Sequence, residues 1–135
     1  MATAKVEYLG ELRTQATHLQ SGRQILTDAP TDNHGKGEAF SPTDLAATSL
    51  ATCMISIMGI KADSMNLELK KINAEVTKVM YSDPRRIGEI HIKMTVEDNG
   101  FSEKDKQILI NAALACPVAK SLHPDIKQEI DFRFS

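Results

Sequence analysis

The feature that most restricts the fold is an apolar stretch, Leu45 to Ile60, that contains no charged residue. At about 16 residues it is shorter than the 18 to 20 that a membrane-spanning helix needs, and four hydroxyl side chains interrupt it. Its apolar side chains occupy most of the circumference of a helix, which predicts a core helix buried on nearly all sides. A chain of 135 residues supplies little cover for such a helix. The stretch therefore predicts a homodimer and argues against a membrane protein.

The start of this helix is marked by four residues, Ser41-Pro42-Thr43-Asp44. Ser41 is suited to cap the helix, Pro42 fits the first helical position, and Asp44 stands where the acid of a capping box belongs. From there the apolar pattern continues to about Ala62. The sequence thus predicts one long central helix with a well-defined beginning.

Alternating apolar and polar residues predict strands on both sides of the helix. Three precede it and three follow it, at Ala2–Tyr8, Leu12–Leu19, Arg23–Asp28, Leu67–Tyr81, Arg86–Glu97 and Ile126–Phe134. Ser21-Gly22 predicts a turn between the second and third strands, and residues 81–85 predict the turn of a hairpin. Ala29 to Gly37 is predicted to be a loop.

A second helix is predicted from the capping box Ser102-Glu-Lys-Asp105. Its apolar pattern runs on to Leu122, but Pro117 interrupts it and should kink or break the helix, freeing the carbonyl of Ala113. The resulting order is β-β-β-α-β-β-α-β. This order is typical of an α+β fold rather than of alternating parallel units, and the length predicts a single domain over residues 1–135.

The charge balance excludes one class of function. Lys and Arg number 16, Asp and Glu 18, and the net charge is −2. A near-neutral chain lacks the basic surface of a nucleic-acid-binding protein, and aromatic residues, at 4% with no Trp, offer few platforms for base stacking. Apolar residues at 41% are typical of a globular domain with an aliphatic core.

Two cysteines, Cys53 and Cys116, are the candidate reactive groups. Met1 to Tyr8 lacks the apolar segment of a secretory signal, so a cytoplasmic location is predicted, where two cysteines are free thiols or a transient redox pair. Both also fit a plainer interpretation as small core residues. A reactive thiol would need a cation nearby. Arg13 and Arg23 are candidates for it, and each is alternatively a plain surface charge, an interpretation that is favoured for Arg23.

Other chemistries find no support in the sequence. The four histidines are scattered without ligand spacing, which predicts no bound metal. The glycine-rich motifs of nucleotide-binding proteins do not occur, and no cofactor is expected.

Two segments together resemble the OsmC/Ohr family, the osmotically inducible protein C and organic hydroperoxide resistance proteins. Phe40-Ser-Pro-Thr-Asp-Leu-Ala-Ala-Thr-Ser-Leu-Ala-Thr-Cys53 is similar to the helix that carries the family's first cysteine. Ala113-Leu-Ala-Cys-Pro-Val-Ala-Lys-Ser-Leu122 is similar to its second cysteine segment, whose centre is Cys-Pro-Val. The resemblance covers essentially the whole chain and is nearest to a divergent OsmC-like branch.

This resemblance implies a fold and a reaction. The fold is an intertwined homodimer with a long central helix from each subunit. The reaction is thiol-dependent reduction of organic hydroperoxides, without a cofactor. By matching position, Cys53 would be the peroxidatic thiolate and Cys116 the resolving thiol. An external dithiol would then reduce the disulfide between them.

The resemblance also assigns an activating arginine, and Arg13 best fits its place after the first strand. Its guanidinium would favour the thiolate and help to hold the peroxide oxygens. The family's acidic partner for this arginine directly follows the proline of the first motif. That position is Thr43 in this chain, with Asp44 one residue later. Both are therefore candidate supporting residues.

Two other functions fit the same residues. One is an OsmC-like protein that keeps both thiols but binds a small apolar ligand or responds to redox state, without significant peroxidase activity. The other is a cysteine hydrolase, for which no local motif is present.

Overall fold

The computed structural model describes residues 1–135 and confirms the predicted α+β class. Its contacts divide the chain into two units, Met1–Ala46 and Ala47–Ser135. The single domain predicted from the length stays a prediction. The elements, in chain order, are β1 Ala4–Gly10, β2 Arg13–His18, β3 Gln24–Asp28, α1 Pro42–Ser64, β4 Ile72–Tyr81, β5 Arg86–Val96, α2 Glu103–Leu114, α3 Pro117–Ser121 and β6 Lys127–Phe134.

The first unit contains an antiparallel sheet in the order β1-β2-β3. Val6 on β1 lies opposite Ala16 on β2, which in turn lies opposite Ile25 on β3. These three residues share one face, because side chains alternate between the faces of a strand. Val6 is 64% exposed and Ile25 50% exposed, so the two ends of this apolar row are exposed in the single chain, while Ala16 between them is half-buried.

The second unit contains the sheet β4-β5-β6. The predicted hairpin of β4 and β5 is confirmed, while β6 pairs with β5 in parallel. Alternate residues of β5 are fully buried at Ile90, Ile92, Met94 and Val96. This central strand therefore presents one apolar face to the core, and the parallel pairing is possible because two helices connect β5 to β6.

Helix α1 supplies the other side of that core. Its buried residues recur every three or four positions, at Ala47, Leu50, Ala51, Met54, Met58 and Ala62. The helix is long and apolar enough to cross a membrane by length and composition alone, with 33% of its most apolar window buried. We predicted that α1 is buried on nearly all sides. A single chain does not bury it to that extent, since Ile60 is 65% exposed.

The predicted strand Leu67–Tyr81 is too long, since β4 begins only at Ile72. Leu67 and Leu69 still alternate in burial with their neighbours. However, Ile72 is already paired with Val96, the last residue of β5, so the preceding residues have no partner strand. Alternation of apolar and polar residues indicates which side chains are buried, but a β-strand also requires an adjacent strand to which its backbone can hydrogen-bond.

The second predicted helix is two helices. α2 ends at Leu114, and α3 begins at Pro117, where the missing N–H and the fixed φ of proline suit a first helical position. The prediction that the Ala113 carbonyl is left without a hydrogen bond is wrong. It accepts a hydrogen bond of 3.2 Å from the backbone N–H of Cys116, because the chain tightens as α2 ends.

Candidate thiol site

The start of α1 places the first thiol, and the predicted capping box forms. The Asp44 backbone N–H donates to Ser41 Oγ at 3.0 Å, and the Ser41 N–H donates to Asp44 Oδ2 at 3.0 Å. Thr43 Oγ1 lies 3.2 Å from Ser41 Oγ. Asp44 thus closes the first turn of the helix, and the supporting roles of Asp44 and Thr43 in chemistry stay predictions.

Cys53 lies in the middle of α1 as a free, half-buried thiol. The next residue, Met54, is fully buried, whereas the preceding Thr52 is exposed. Cys53 therefore stands at the border between the core-facing and exposed sides of the helix.

Cys116 is also a free thiol, but it is fully buried. It occupies the capping position of α3, directly before Pro117, and its Sγ accepts a hydrogen bond of 3.4 Å from the Ala119 N–H. Burial raises the pKa of the Cys116 thiol, and the adjoining Cys53 raises it further, while the Ala119 N–H opposes the shift. Cys116 is accordingly a neutral thiol at neutral pH.

The structure brings the two predicted cysteines together within the second unit. The Cys53 thiol is near enough to contribute to the raised pKa of Cys116. Neither cysteine forms a disulfide. The two cysteines are not at disulfide distance, so a disulfide between them would need a movement of the chain.

In the first unit, Arg13 forms ion pairs with two carboxylates. It begins β2, and its Nε and Nη2 donate to Asp28 Oδ1 and Oδ2 at 2.7 and 2.8 Å. Nη2 also donates to Glu38 Oε1 at 3.2 Å. The Arg13 guanidinium holds the pKa of Asp28 below its usual range and has its own pKa raised by the same contact. The approach of Arg13, or of the exposed Arg23, to Cys53 stays a prediction.

Asp28 and Glu38 are absent from the residues that the sequence singled out. For Asp28 the signal was weak, because a two-residue turn at Ser21-Gly22 would place Arg13 opposite residue 30, whereas the structure pairs Arg13 with Asp28. Opposite charges at paired strand positions attract. For Glu38, which lies in the loop before α1, the sequence offers no comparable signal.

The Arg13–Asp28 pair predicts an acid-sensitive stability. A carboxylate whose folded pKa is lowered stabilises the protein above its unfolded pKa of about 3.9, and the contribution disappears as the pH falls below that value. We expect Asp28→Asn to lower the thermal unfolding temperature at pH 7. The gap to the parent protein should narrow as the pH falls below about 4, because the unfolded carboxyl takes up a proton there that the folded Asp28, with its lowered pKa, resists.

Thermal unfolding followed by circular dichroism checks this prediction. Asp125→Asn is the matched control, because Asp125 is a surface carboxylate whose side chain is 89% exposed. It should follow the parent curve at every pH. A gap between Asp28→Asn and the parent that does not narrow below about pH 4 would contradict the lowered pKa of Asp28.

Comparisons with known proteins identify the family. The family model for OsmC-like proteins matches residues 35–131, which include both cysteines. The chain belongs to the OsmC family. A solved structure from Psychrobacter arcticus, a candidate osmotic stress induced and detoxification response protein, is 57% identical, with a TM-score of 0.94 over 98% of this chain and 96% of that one. No curated protein sequence matches the chain.

More distant structures share the OsmC fold. The organic hydroperoxide resistance protein OsmC of Legionella pneumophila is 15% identical, with a TM-score of 0.76. The organic hydroperoxide resistance protein OhrB of Bacillus subtilis is 19% identical, with a TM-score of 0.67. In both cases 98% of each chain is covered. The long apolar helix α1 is therefore the central helix of an OsmC fold, as the resemblance in the sequence implied, and the family supports a peroxide-related role in general terms.

Proposed function

We propose that this OsmC family protein reduces organic hydroperoxides with a pair of cysteines. The observation that carries the proposal is the pairing of a half-buried Cys53 with a buried, neutral Cys116. Organic hydroperoxide resistance proteins of the same fold support the substrate class. No metal or cofactor enters this reaction.

The reaction begins at Cys53. Its thiolate attacks one oxygen of the peroxide, the O–O bond breaks, and the organic fragment leaves as an alcohol after taking up a proton. Cys53 becomes a sulfenic acid. In this proposal Arg13 favours the thiolate and helps to hold the peroxide oxygens.

Cys116 then completes the cycle. Its sulfur attacks the Cys53 sulfenic acid, a disulfide forms, and water is released. An external dithiol reduces this disulfide by thiol exchange and restores both thiols. This step requires the Cys116 sulfur to move toward Cys53. Cys116 lies between two helices, directly before Pro117, and α3 is only five residues long, so such a movement would disturb little helical structure. Two free thiols are also in keeping with a cytoplasmic location.

Counting free thiols tests the proposal. Reduced protein is mixed with cumene hydroperoxide, quenched, denatured and titrated for thiols, and its mass is measured without reductant. We expect the loss of both thiols and one intramolecular disulfide. Unchanged thiols at excess peroxide would contradict the proposal and support a ligand-binding or redox-responsive function, which the close engagement of Arg13 by two carboxylates also favours. Ester hydrolysis that requires Cys53 would instead indicate a cysteine hydrolase.

We further propose that the protein acts as a homodimer. The apolar row Val6–Ala16–Ile25, which is exposed at both ends, and the exposed Ile60 are surfaces that a second copy would cover. Obligate dimers bury large aliphatic interfaces of this kind.

Light scattering after size exclusion at micromolar concentration should therefore give twice the chain mass of 14.8 kDa. Ile25→Lys should shift the mass toward the monomer, because it places a charge on the apolar face of the first sheet. Gln24→Lys is the matched control, since residue 24 points to the opposite face of the same strand. A parent protein that elutes with the mass of one chain would overturn the dimer.

A further inference from the structure

We infer that Gln128 holds Cys116 in its dithiol position and that this contact is given up when the disulfide forms, an inference that rests on the proposed function. Cys116 caps α3, and its Sγ accepts a hydrogen bond of 3.4 Å from the Ala119 N–H. The carbonyl of the same Ala119 accepts a hydrogen bond of 3.1 Å from Gln128 Nε2 on β6. A single residue of α3 thus connects the Cys116 sulfur to a strand of the second sheet.

Gln128 stands in a row of β6 that is otherwise apolar. Every second residue of this strand is partly buried, and the other members of the row pack against the core, at Ile130, Phe132 and Phe134. Gln128 lies opposite Ile90, a fully buried residue of β5. A polar side chain on a core-facing row costs free energy unless it finds a partner. The contact with Ala119 is that partner, and packing alone gives no reason for an amide at this position.

The contact is also the only hydrogen bond that joins the residues of α3 to another helix or strand. The other hydrogen bonds of α3 stay within residues 116–122, such as the one of 2.7 Å that Ser121 Oγ donates to the Pro117 carbonyl. Val118 and Ala119 pack against the core, but apolar contacts have no direction and tolerate a small shift. A hydrogen bond weakens steeply when its geometry changes. Gln128 therefore fixes the place of α3 more narrowly than packing does.

Disulfide formation requires the segment around Cys116 to move, since the two cysteines are not at disulfide distance. Cys53 lies in the middle of the 23-residue helix α1, whereas Cys116 lies between two helices, so the movement falls on Cys116. The five residues of α3 form little more than one turn, and Ala119 moves with Cys116. Gln128 stays paired in β6. The hydrogen bond between them would thus be lost in the disulfide form.

Gln128 takes no part in the bonds that change. The Cys116 sulfur attacks the sulfur of the Cys53 sulfenic acid, the S–S bond forms, the S–O bond breaks, and the hydroxyl leaves with the Cys116 proton as water. An external dithiol later returns two electrons and two protons and becomes a disulfide itself. Gln128 acts through the place of Cys116, as a positioning residue. Because it stabilises the dithiol form alone, it makes the disulfide easier to reduce.

The competing explanation is that Gln128 only satisfies the Ala119 carbonyl and stabilises the fold. Its replacement would then destabilise the dithiol and disulfide forms equally and leave the equilibrium between them unchanged. Our inference predicts that this equilibrium shifts toward the disulfide. Equilibration of the full chain with mixtures of reduced and oxidised dithiothreitol measures the shift without any peroxide.

The first variant is Gln128→Met, which replaces the amide by an apolar side chain of similar length. Samples are quenched with acid, alkylated, and the two forms are counted by mass spectrometry. We expect the equilibrium constant for disulfide formation to rise about fivefold, the scale of one neutral hydrogen bond. Gln107→Met is the matched control and should keep the parent value. Gln107 also donates from Nε2, at 2.8 Å to Asn111 Oδ1, but it lies on the exposed side of α2.

Thermal unfolding of the two forms gives a second readout of the same difference. Gln128→Met should lower the unfolding temperature of the dithiol form and leave that of the disulfide form close to the parent value. An equal fall in both forms, or an equilibrium constant that stays at the parent value, would overturn the inference and leave Gln128 as a structural contact.

The parent protein itself keeps the inference testable if Gln128→Met does not fold. The side-chain amide of Gln128, followed by ¹⁵N NMR, should exchange slowly with water in the dithiol form and lose this protection on oxidation by dithiothreitol disulfide. Unchanged protection would mean that the contact survives in the disulfide and would overturn the inference. A parent that forms the disulfide in dithiothreitol but consumes no cumene hydroperoxide would overturn the proposed function alone. A parent that forms no intramolecular disulfide would overturn both.

Discussion

Replacing Cys53 with serine will abolish hydroperoxide consumption, whereas the same replacement at Cys116 will leave the first turnover intact. We expect Cys53→Ser to lower the rate constant by more than about 10³-fold, as the removal of a nucleophile does in other enzymes. Cys116→Ser should still consume about one equivalent of peroxide. It should then stop or over-oxidise at Cys53, because no second thiol captures the sulfenic acid.

The environments of the two sulfurs give the reason for this difference. Cys116 is fully buried, and its raised pKa keeps it protonated at neutral pH, so it is a poor first nucleophile. Cys53 is half-buried in the middle of helix α1. Stopped-flow consumption of cumene hydroperoxide, followed by mass spectrometry of each variant, measures both steps.

The two single variants are matched controls for each other, since each removes one sulfur and adds one hydroxyl of similar size. Over-oxidation by one or more oxygen atoms should be found at Cys53 in Cys116→Ser. A Cys53→Ser protein that reduces peroxide as fast as the parent would reverse the assignment and leave Cys53 as a core residue. Equal loss in both variants in the first turnover would contradict the division into peroxidatic and resolving thiols.

The boundaries of the helices could be predicted wherever a cap marks them. Ser41 and Ser102 each precede an acid by three residues, and both capping boxes form. A capping box is a local device, so four residues suffice to specify it. The segment from Leu67 to Lys71 could not be assigned in the same way. Its alternation reflects burial, and its lack of a partner strand depends on where β5 ends.

In the candidate site, too, the locally encoded residues could be predicted, whereas the contacts that depend on the tertiary fold could not. The two thiols follow from sequence motifs, because each lies beside its own local signal, a long helix or a proline. The ion pair of Arg13 depends on the register of β2 and β3, and the Glu38 contact depends on the path of a loop. Thr43 stands where the resemblance implied a carboxylate for Arg13, yet the carboxylates in the structure come from β3 and from that loop. Tertiary contacts of this kind are only indirectly encoded in a short motif.

A charge in the centre of α1 should have the largest effect on folding. The Leu50 side chain is 0% exposed to solvent. It belongs to the same buried core cluster as Met54 and Ile92. An unpaired carboxylate there would lose its hydration without gaining a partner, at a cost of several kcal/mol. Small domains have total stabilities of about 5–15 kcal/mol. Leu50→Asp should therefore yield insoluble protein rather than a stable monomer.

Two variants on the same helix make this result specific. Leu50→Ala removes the same side chain without adding charge, so it should remain soluble and lose about 2–5 kcal/mol in chemical unfolding. Thr52→Asp adds the same charge at an exposed position only two residues away and should change stability by less than about 1 kcal/mol. Soluble Leu50→Asp that unfolds at the parent temperature would mean that α1 does not pack as described. The ordering Thr52→Asp, Leu50→Ala, Leu50→Asp, from mildest to most severe, follows from burial and charge alone and would hold whether or not the protein dimerises.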